Sequence, residues 1–216
     1  MHGNFAKLLE DTGDYSGAVA EWKRVEELLP HHFGPGFYLG KLLARMGRYE
    51  EAQQSLTRSL RLRPDTVEVL DELGRVLAAE KRPAEALACF NRALKLQPAN
   101  ARLHLHLAEA LAALNRRNEA MASLHRAVEL RPDHWEARYL LGVELAARNQ
   151  IAPAREQFSE VVRLKPDYPL AHLNLGVALA KEKRLPEAVT QFRETLRLDP
   201  TNKPAQEYLA ALRSLK

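Results

Sequence analysis

"LRLRPDT", residues 60–66, decides the fold because near-copies of this stretch return at a fixed interval. The related stretches are LKLQPAN (94–100), VELRPDH (128–134), VRLKPDY (162–168) and LRLDPTN (196–202). Each contains a proline, and six prolines follow one another at a spacing of 34 residues: Pro30, Pro64, Pro98, Pro132, Pro166 and Pro200. A period between about 20 and 50 residues indicates an architecture in which one supersecondary unit stacks on the next.

Alignment of the chain on these prolines produces columns of similar residues. One column is alanine throughout: Ala18, Ala52, Ala86, Ala120, Ala154 and Ala188. A second column holds large side chains: Trp22, Leu56, Phe90, Leu124, Phe158 and Phe192. A third is always small: Ala6, Gly40, Gly74, Ala108, Gly142 and Gly176. Because a glycine inside a helix costs about 1 kcal/mol relative to alanine, we expect helices to approach too closely at the glycines for a side chain.

Each period predicts two helices. Apolar residues recur at i, i+3, i+4 and i+7 along Leu70–Leu77, and a matching apolar face lies in Ala86–Leu94. The proline then ends the second helix, and polar residues after it are the predicted N-caps of the next first helix: Asp65, Asn100, Asp133, Asp167 and Thr201. Gly34, Pro35 and Gly36 interrupt the pattern, and we expect them to delay the first helix of residues 33–66.

These columns resemble the tetratricopeptide repeat, a helix–turn–helix unit with a small eighth residue, alanine at position twenty and proline at position thirty-two. The resemblance implies an all-α fold, a right-handed α-solenoid superhelix of antiparallel helix pairs, as a single domain over residues 1–216. The predicted repeats are 1–32, 33–66, 67–100, 101–134, 135–168 and 169–202, with a capping helix at 203–216. The capping helix carries its apolar face on Tyr208, Leu209, Leu212 and Leu215. Repeat 1–32 lacks its first two positions, as a piece of a longer protein would.

The composition excludes several classes of protein. The net charge is +4 and the one cysteine, Cys89, allows neither an internal disulfide nor a thiolate metal cluster. The amino terminus contains no apolar run of signal-peptide length, and no window is apolar enough for a membrane span. We therefore expect a soluble cytoplasmic protein that makes no contact with a membrane.

The sequence contains no motif of a catalytic or cofactor site. It has no phosphate-binding glycine loop, no nucleophile motif and no paired metal-ligand spacing. His104 and His106 cannot share an ion because residues two apart on a helix point in nearly opposite directions. His104 and His172 occupy one repeat position, with Arg138 between them, which favours a structural role for the histidines. We therefore predict that the protein is not an enzyme and needs neither a cofactor nor a metal.

In tetratricopeptide repeat proteins the first helices line a concave groove. The resemblance implies that positions two, five, nine and twelve of each first helix are exposed there, with six and thirteen at the border. In the amino-terminal half these positions hold a basic ladder, Lys7, Lys41 and Arg75 with Arg45 nearby, facing the acidic residues Glu68, Asp71 and Glu72. The ladder is either a seat for an acidic peptide or chain carboxylate, or a solvated face of salt bridges between neighbours. Where some members of the family clamp a terminal carboxylate, this chain has Gly3, Lys7, Tyr38, Glu68 and Glu72, so that clamp is not expected.

In the carboxy-terminal half the same positions are mostly apolar. The predicted partner-binding residues there are Leu105, Tyr139, Leu140, Val143, Leu173 and Val177, with His106 and Asn174 as polar points. Exposed apolar residues in one patch usually mark a binding site. The alternative is that a tight superhelix buries them between neighbouring repeats.

The leading hypothesis is a protein-interaction module that binds a peptide or helix of a partner in its groove. The alternatives are a self-associating structural scaffold, that is, a homo-oligomer, or the repeat arm of a larger multidomain protein. Nucleic-acid binding is disfavoured, because the groove carries acidic residues among its basic ones.

Overall fold

A computed structural model describes residues 2–213, which form thirteen α-helices and no strand. The predicted all-α, tetratricopeptide-like fold is therefore confirmed. The chain divides into two compact units between Arg116 and Arg117. The amino-terminal unit contains α1 (His2–Asp11), α2 (Tyr15–Leu28), α3 (Phe33–Arg45), α4 (Tyr49–Leu62), α5 (Val67–Ala79), α6 (Pro83–Leu96) and α7 (Ala101–Ala113). The carboxy-terminal unit contains α8 (Arg117–Leu130), α9 (Trp135–Ala147), α10 (Ile151–Leu164), α11 (Pro169–Lys181), α12 (Leu185–Leu198) and α13 (Lys203–Arg213).

Within each unit, a helix packs against the next one along the chain. The odd-numbered helices are the predicted first helices and the even-numbered ones the second. Helix α13 occupies the place of the predicted capping helix, with Leu209 buried; Leu215 lies outside the described residues. The organisation of residues 1–216 as one domain stays a prediction.

Within a helix pair, the small residue of the first helix packs against the large side chain of the second helix. A Cβ atom added to Gly74 would lie 2.5 Å from Cε1 of Phe90, and at Gly142 it would lie 2.7 Å from Cε1 of Phe158. These distances are shorter than van der Waals contact, so the expected close approach is confirmed. The atoms that fill the space belong to the aromatic ring of the second helix. The alanine column is buried in every repeat.

The predicted N-caps are correct at one helix and wrong at four. Asn100 caps α7, and its side chain accepts a hydrogen bond from the N–H of Leu103 at 3.3 Å. The residues before α5, α9, α11 and α13 are Thr66, His134, Tyr168 and Asn202, one position after the predicted caps Asp65, Asp133, Asp167 and Thr201. The shift arises because the chain makes a further turn across the proline. In that turn the N–H of His134 donates to the carbonyl of Arg131 at 3.1 Å, and Tyr168 donates to Lys165 in the same way.

A polar side chain on the first helix closes this turn. At four of the six prolines the donor lies six residues later and bonds to the proline's carbonyl oxygen: His104 to Pro98 at 3.0 Å, Arg138 to Pro132 at 2.6 Å, His172 to Pro166 at 3.0 Å and Gln206 to Pro200 at 2.9 Å. Both histidines therefore hold the turn through an Nε2–H donor, which is the structural role predicted for them. Histidine, arginine and glutamine are interchangeable here because each supplies an N–H at the required reach.

The expected delay of the helix at Gly34–Gly36 is wrong, because α3 begins at Phe33. His32 Nδ1 accepts a hydrogen bond from the N–H of Gly34 at 3.1 Å and caps the helix. Pro35 lies in the first turn, where a backbone N–H has no partner within the helix. Gly36 meets Ser59, whose hydroxyl lies 2.6 Å from the place of a Cβ atom. The glycine therefore serves close packing against α4 and does not interrupt the helix.

The turn between the two helices of a pair contains a left-handed residue, and this predicts two opposite changes in stability. Gly47 has a φ of 74° and Lys81, at the equivalent position, has a φ of 60°. A residue with a side chain loses about 1–2 kcal/mol in the left-handed backbone conformation relative to glycine. Glycine in turn loses about 0.5–1 kcal/mol more conformational entropy on folding, which offsets part of that difference. We expect Gly47→Ala to lower the free energy of unfolding by about 1 kcal/mol and Lys81→Gly to raise it by about 0.5 kcal/mol, measured by urea denaturation. Changes of the same sign in both variants would contradict this account.

Candidate functional site

Six of the predicted partner-binding residues form one surface on α9 and α11, which pack against each other in the carboxy-terminal unit. We call it the α9–α11 surface, and it consists of Tyr139, Leu140, Val143, Leu173, Asn174 and Val177. The helical spacing of these residues places them on one side of each helix. Val143 is 37% exposed and the other five are half-buried. The surface is therefore an apolar strip that other side chains cover only in part.

The polar end of the α9–α11 surface is held by a hydrogen bond between its two helices. The Asn174 amide donates to the Tyr139 hydroxyl at 3.1 Å. The Tyr139 ring also packs edge-on against Tyr168, with ring centres 5.1 Å apart, and against Phe158. Burial raises the pKa of the Tyr139 hydroxyl, nearby Tyr168 raises it further, and the bond from Asn174 lowers it. The hydroxyl is thus a neutral acceptor that fixes Asn174, and this is the one side-chain hydrogen bond of Asn174 within residues 2–213.

Leu105 and His106 of α7 lie in the amino-terminal unit and are described with it. Leu105 is 6% exposed. The Nδ1 atom of His106 lies 2.6 Å from Oδ1 of Asp71 on α5, and its ring packs against Phe90. Asp71 also pairs with Arg102 at 3.1 Å. Both predicted residues therefore contribute mainly to contacts within the unit, and their role in partner binding stays a prediction.

Three residues of the predicted basic ladder meet in one cleft between α3 and α5. The cleft has a volume of about 350 Å³, and Lys41, Arg45 and Arg75 line it together with Tyr49 and Glu72. We call it the basic cleft. Lys7 lies elsewhere, with its Nζ atom 4.8 Å from the centre of the Tyr38 ring.

Two of the basic side chains in the basic cleft are already paired. Arg75 lies 3.0 Å from Glu72, and Arg45 lies 3.2 Å from Glu10 on α1. In residues 2–213, no carboxylate lies within 4 Å of the Lys41 ammonium group. Two members of the ladder, Arg45 and Arg75, are therefore salt-bridged, as the sequence allowed, and in residues 2–213 the other two, Lys7 and Lys41, have no carboxylate within 4 Å.

Tyr49 is a lining residue that the sequence analysis missed. It begins α4, and Tyr15 begins α2 at the equivalent repeat position. Tyr15 accepts a hydrogen bond from Arg45 at 3.3 Å and stacks against its guanidinium group. A tyrosine at the start of a second helix therefore reaches the end of the next first helix. Its recurrence in two successive repeats was the signal available in the sequence.

The described part of the chain contains neither a candidate metal cluster nor a candidate membrane span. Residues 2–213 contain no group of three or more His, Cys, Asp or Glu side chains that could hold a metal ion. None of the thirteen helices is long and apolar enough to cross a membrane.

Comparison with solved structures gives similar folds at low sequence identity. YrrB, described as a TPR protein with an unusual peptide-binding site, is 24% identical with a TM-score of 0.70, over 88% of this chain and 97% of that one. PilF of Pseudomonas aeruginosa is 16% identical with a TM-score of 0.86, over 97% and 96%. PilW, described as a type IV pilus biogenesis factor, is 19% identical with a TM-score of 0.83, over 96% of each chain. At these identities the likeness shows the fold alone, and no curated protein sequence matches.

Two family models described as Tetratricopeptide repeat match the sequence. One matches residues 38–101 and 143–203, and the other matches residues 77–142. Together they cover residues 38–203, from within α3 to the start of α13. The chain therefore belongs to the tetratricopeptide repeat family, whose repeats serve protein–protein interaction and generally act as non-enzymatic scaffolds.

Proposed function

We propose that this protein is an interaction module that binds a peptide or helix of a partner protein on the α9–α11 surface. The observation that carries the proposal is the apolar strip itself. Leu140, Val143, Leu173 and Val177 lie together, and Val143 is 37% exposed. The repeat position of Val143 is occupied by Lys41 on α3 and by Arg75 on α5, so the fold does not require a valine at this position. Apolar side chains that stay uncovered in one patch usually mark a binding site.

The chemistry of the strip suits an apolar anchor with a polar contact beside it. Aliphatic side chains of a partner would bury against Val143 and Val177, and the Asn174 amide would meet a backbone carbonyl. Because the bond to Tyr139 already fixes Asn174, little side-chain freedom is lost when the amide binds. Peptide binding by YrrB, a protein of the same fold, agrees with this proposal.

A displayed random-peptide selection tests the proposal, with Leu140→Glu, Val143→Lys as the counter-screen. This double variant keeps the net charge and places charged groups where apolar contact is required. We expect selected peptides to bind the parent chain at about 1–100 μM, roughly −8 to −5.5 kcal/mol, and to bind the double variant at least about tenfold more weakly. Binding is measured by fluorescence anisotropy, and circular dichroism confirms that the variant is folded.

Leu185→Glu, Thr190→Lys on α12 is the matched control, because both residues are exposed and the charges are the same. This control should bind the peptides like the parent. Equal binding by all three proteins, or no enrichment of peptides, would argue against the α9–α11 surface.

Self-association is the alternative use of the same strip. Size-exclusion chromatography with light scattering over a hundredfold range of concentration separates the two functions. A monomer at all concentrations agrees with an external partner. A dimer that the Leu140→Glu, Val143→Lys change abolishes would favour the scaffold.

A further inference from the structure

Two clefts follow one another along the same side of α3 and α5. The basic cleft lies at the end where both helices finish. A second cleft, of about 520 Å³, lies at the end where they begin, and Phe33, Phe37, Tyr38 and Val67 line it. We call it the aromatic cleft. Phe37 and Lys41 are one helical turn apart on the same side of α3, so the two clefts are neighbours along this helix.

The aromatic cleft has firm apolar walls. The Tyr38 ring stacks on Trp22 with ring centres 4.9 Å apart, and Phe37 packs against Tyr38. Tyr38 is 37% exposed, although Trp22 stacks on its ring and the Lys7 ammonium group lies over it, so the exposed part of the side chain faces a ligand. Charged groups also line this cleft: Arg63 lies over the Phe33 ring, Asp65 pairs with Arg92, and Glu68 is exposed.

The basic cleft supplies one positive charge for a ligand. Glu72 and Glu10 neutralise Arg75 and Arg45, and Lys41 has no carboxylate partner in the described residues. The Lys41 side chain is exposed, so a carboxylate can approach it without displacing a salt bridge. Tyr49 and Arg75 line the same cleft and offer further donors.

The distance between the clefts limits the ligand. The centres of the α3 residues that line them are about eight residues apart, or roughly 12 Å at 1.5 Å per residue of helix. An extended chain covers this distance in about three or four residues at 3.3 Å each. The geometry points to an extended partner segment that places an aromatic side chain in the aromatic cleft and, three or four residues away, an acidic side chain at Lys41. This inference shares with the proposed function only the idea that first helices bind peptides, and none of its residues belongs to the α9–α11 surface.

Fluorescence anisotropy with a designed probe tests the inference. The probe is a labelled, end-blocked peptide with a central Phe, one Asp four positions before it and one Asp four positions after it. The second Asp allows the peptide to bind in either chain direction. Two further peptides replace the Asp residues by Asn or the Phe by Ser. We expect the Asn peptide to bind about threefold to fivefold more weakly than the probe, because an exposed ion pair is lost. The Ser peptide should bind at least as weakly, because the aromatic contact is lost.

Two variants of the protein locate the binding. Lys41→Glu should abolish the preference for Asp over Asn, and Lys95→Glu should retain it, because Lys95 is an exposed lysine of α6 outside both clefts. Lys41→Met serves as a second variant that removes the charge without reversing it, and it should weaken the preference as well. The Leu140→Glu, Val143→Lys variant should bind the probe like the parent.

Three outcomes would overturn the inference. These are equal binding of the Asp and Asn peptides, equal binding of the Phe and Ser peptides, and equal weakening by Lys41→Glu and Lys95→Glu. The third would indicate a general effect of charge. None of these outcomes bears on the α9–α11 surface, whose own test uses different peptides and different variants.

Discussion

Replacement of Gly74 by alanine is expected to lower the free energy of unfolding by about 2 kcal/mol, although alanine is the better helix former by about 1 kcal/mol. The added Cβ atom would lie 2.5 Å from Cε1 and 2.7 Å from Cζ of Phe90. That ring is 1% exposed and cannot move aside without disturbing the core of its repeat. Overpacking of a well-packed core typically costs about 1–3 kcal/mol, and a contact as short as 2.5 Å belongs at the upper end of that range. After the gain in helix propensity of about 1 kcal/mol, a net loss of about 2 kcal/mol remains.

A double-mutant cycle measured by urea denaturation separates the steric overlap with the Phe90 ring from the gain in helix propensity. In a Phe90→Ala background the ring is absent, and Gly74→Ala should be neutral or raise the free energy of unfolding by up to about 1 kcal/mol. The comparison is between the effect of Gly74→Ala with the ring and its effect without the ring. An equal loss in both backgrounds would show that the ring is not the reason for the glycine.

Asp71→Ala, which removes the carboxylate, is expected to lower the free energy of unfolding by about 2 kcal/mol, because it leaves the partly buried His106 without its partner. Asp71 is 4% exposed and lies 2.6 Å from His106 and 3.1 Å from Arg102. Hydrogen bonds to charged groups contribute about 1.5–3 kcal/mol. The Arg102 side chain is more than half exposed and regains water when Asp71 is lost, so most of the cost falls on His106.

Asp65→Ala is the matched control for Asp71→Ala, measured by the same denaturation. Asp65 pairs with Arg92 at 2.9 Å, but the Asp65 side chain is 68% exposed. A surface pair of this kind contributes about 0–1 kcal/mol. If Asp71→Ala were no more destabilising than Asp65→Ala, the contact between α5 and α7 would not depend on this pair.

The fold could be predicted from the sequence because its signal is repeated. Because the 34-residue pattern occurs six times, it predicts the helices, the buried alanine column and the close approach at Gly74. An irregular residue in one repeat does not change these predictions. The N-caps were harder to place, since the turn across the proline depends on a backbone hydrogen bond such as that of His134 to Arg131. The start of α3 at Phe33, without the expected delay, depends on a cap from His32 and on contact with Ser59, which the Gly-Pro-Gly composition does not reveal.

The candidate sites could be predicted only as positions on a helix face. Helical phase gives the side on which Val143 and Lys41 lie, but exposure depends on partners supplied by other helices. His106 illustrates this, because its partner Asp71 is 35 residues away in the preceding repeat. Tyr49 was missed for the same reason, since the first residue of a second helix lies far in sequence from the Arg75 with which it lines the basic cleft.

Methyl NMR spectra of the Leu- and Val-labelled chain, titrated with a selected peptide, test the central claim most directly. If the α9–α11 surface binds the peptide, the largest shifts should fall on the methyl groups of Leu140, Val143, Leu173 and Val177. Shifts confined to methyl groups of the second helices, such as Leu164, Leu185 and Leu198, would contradict the claim.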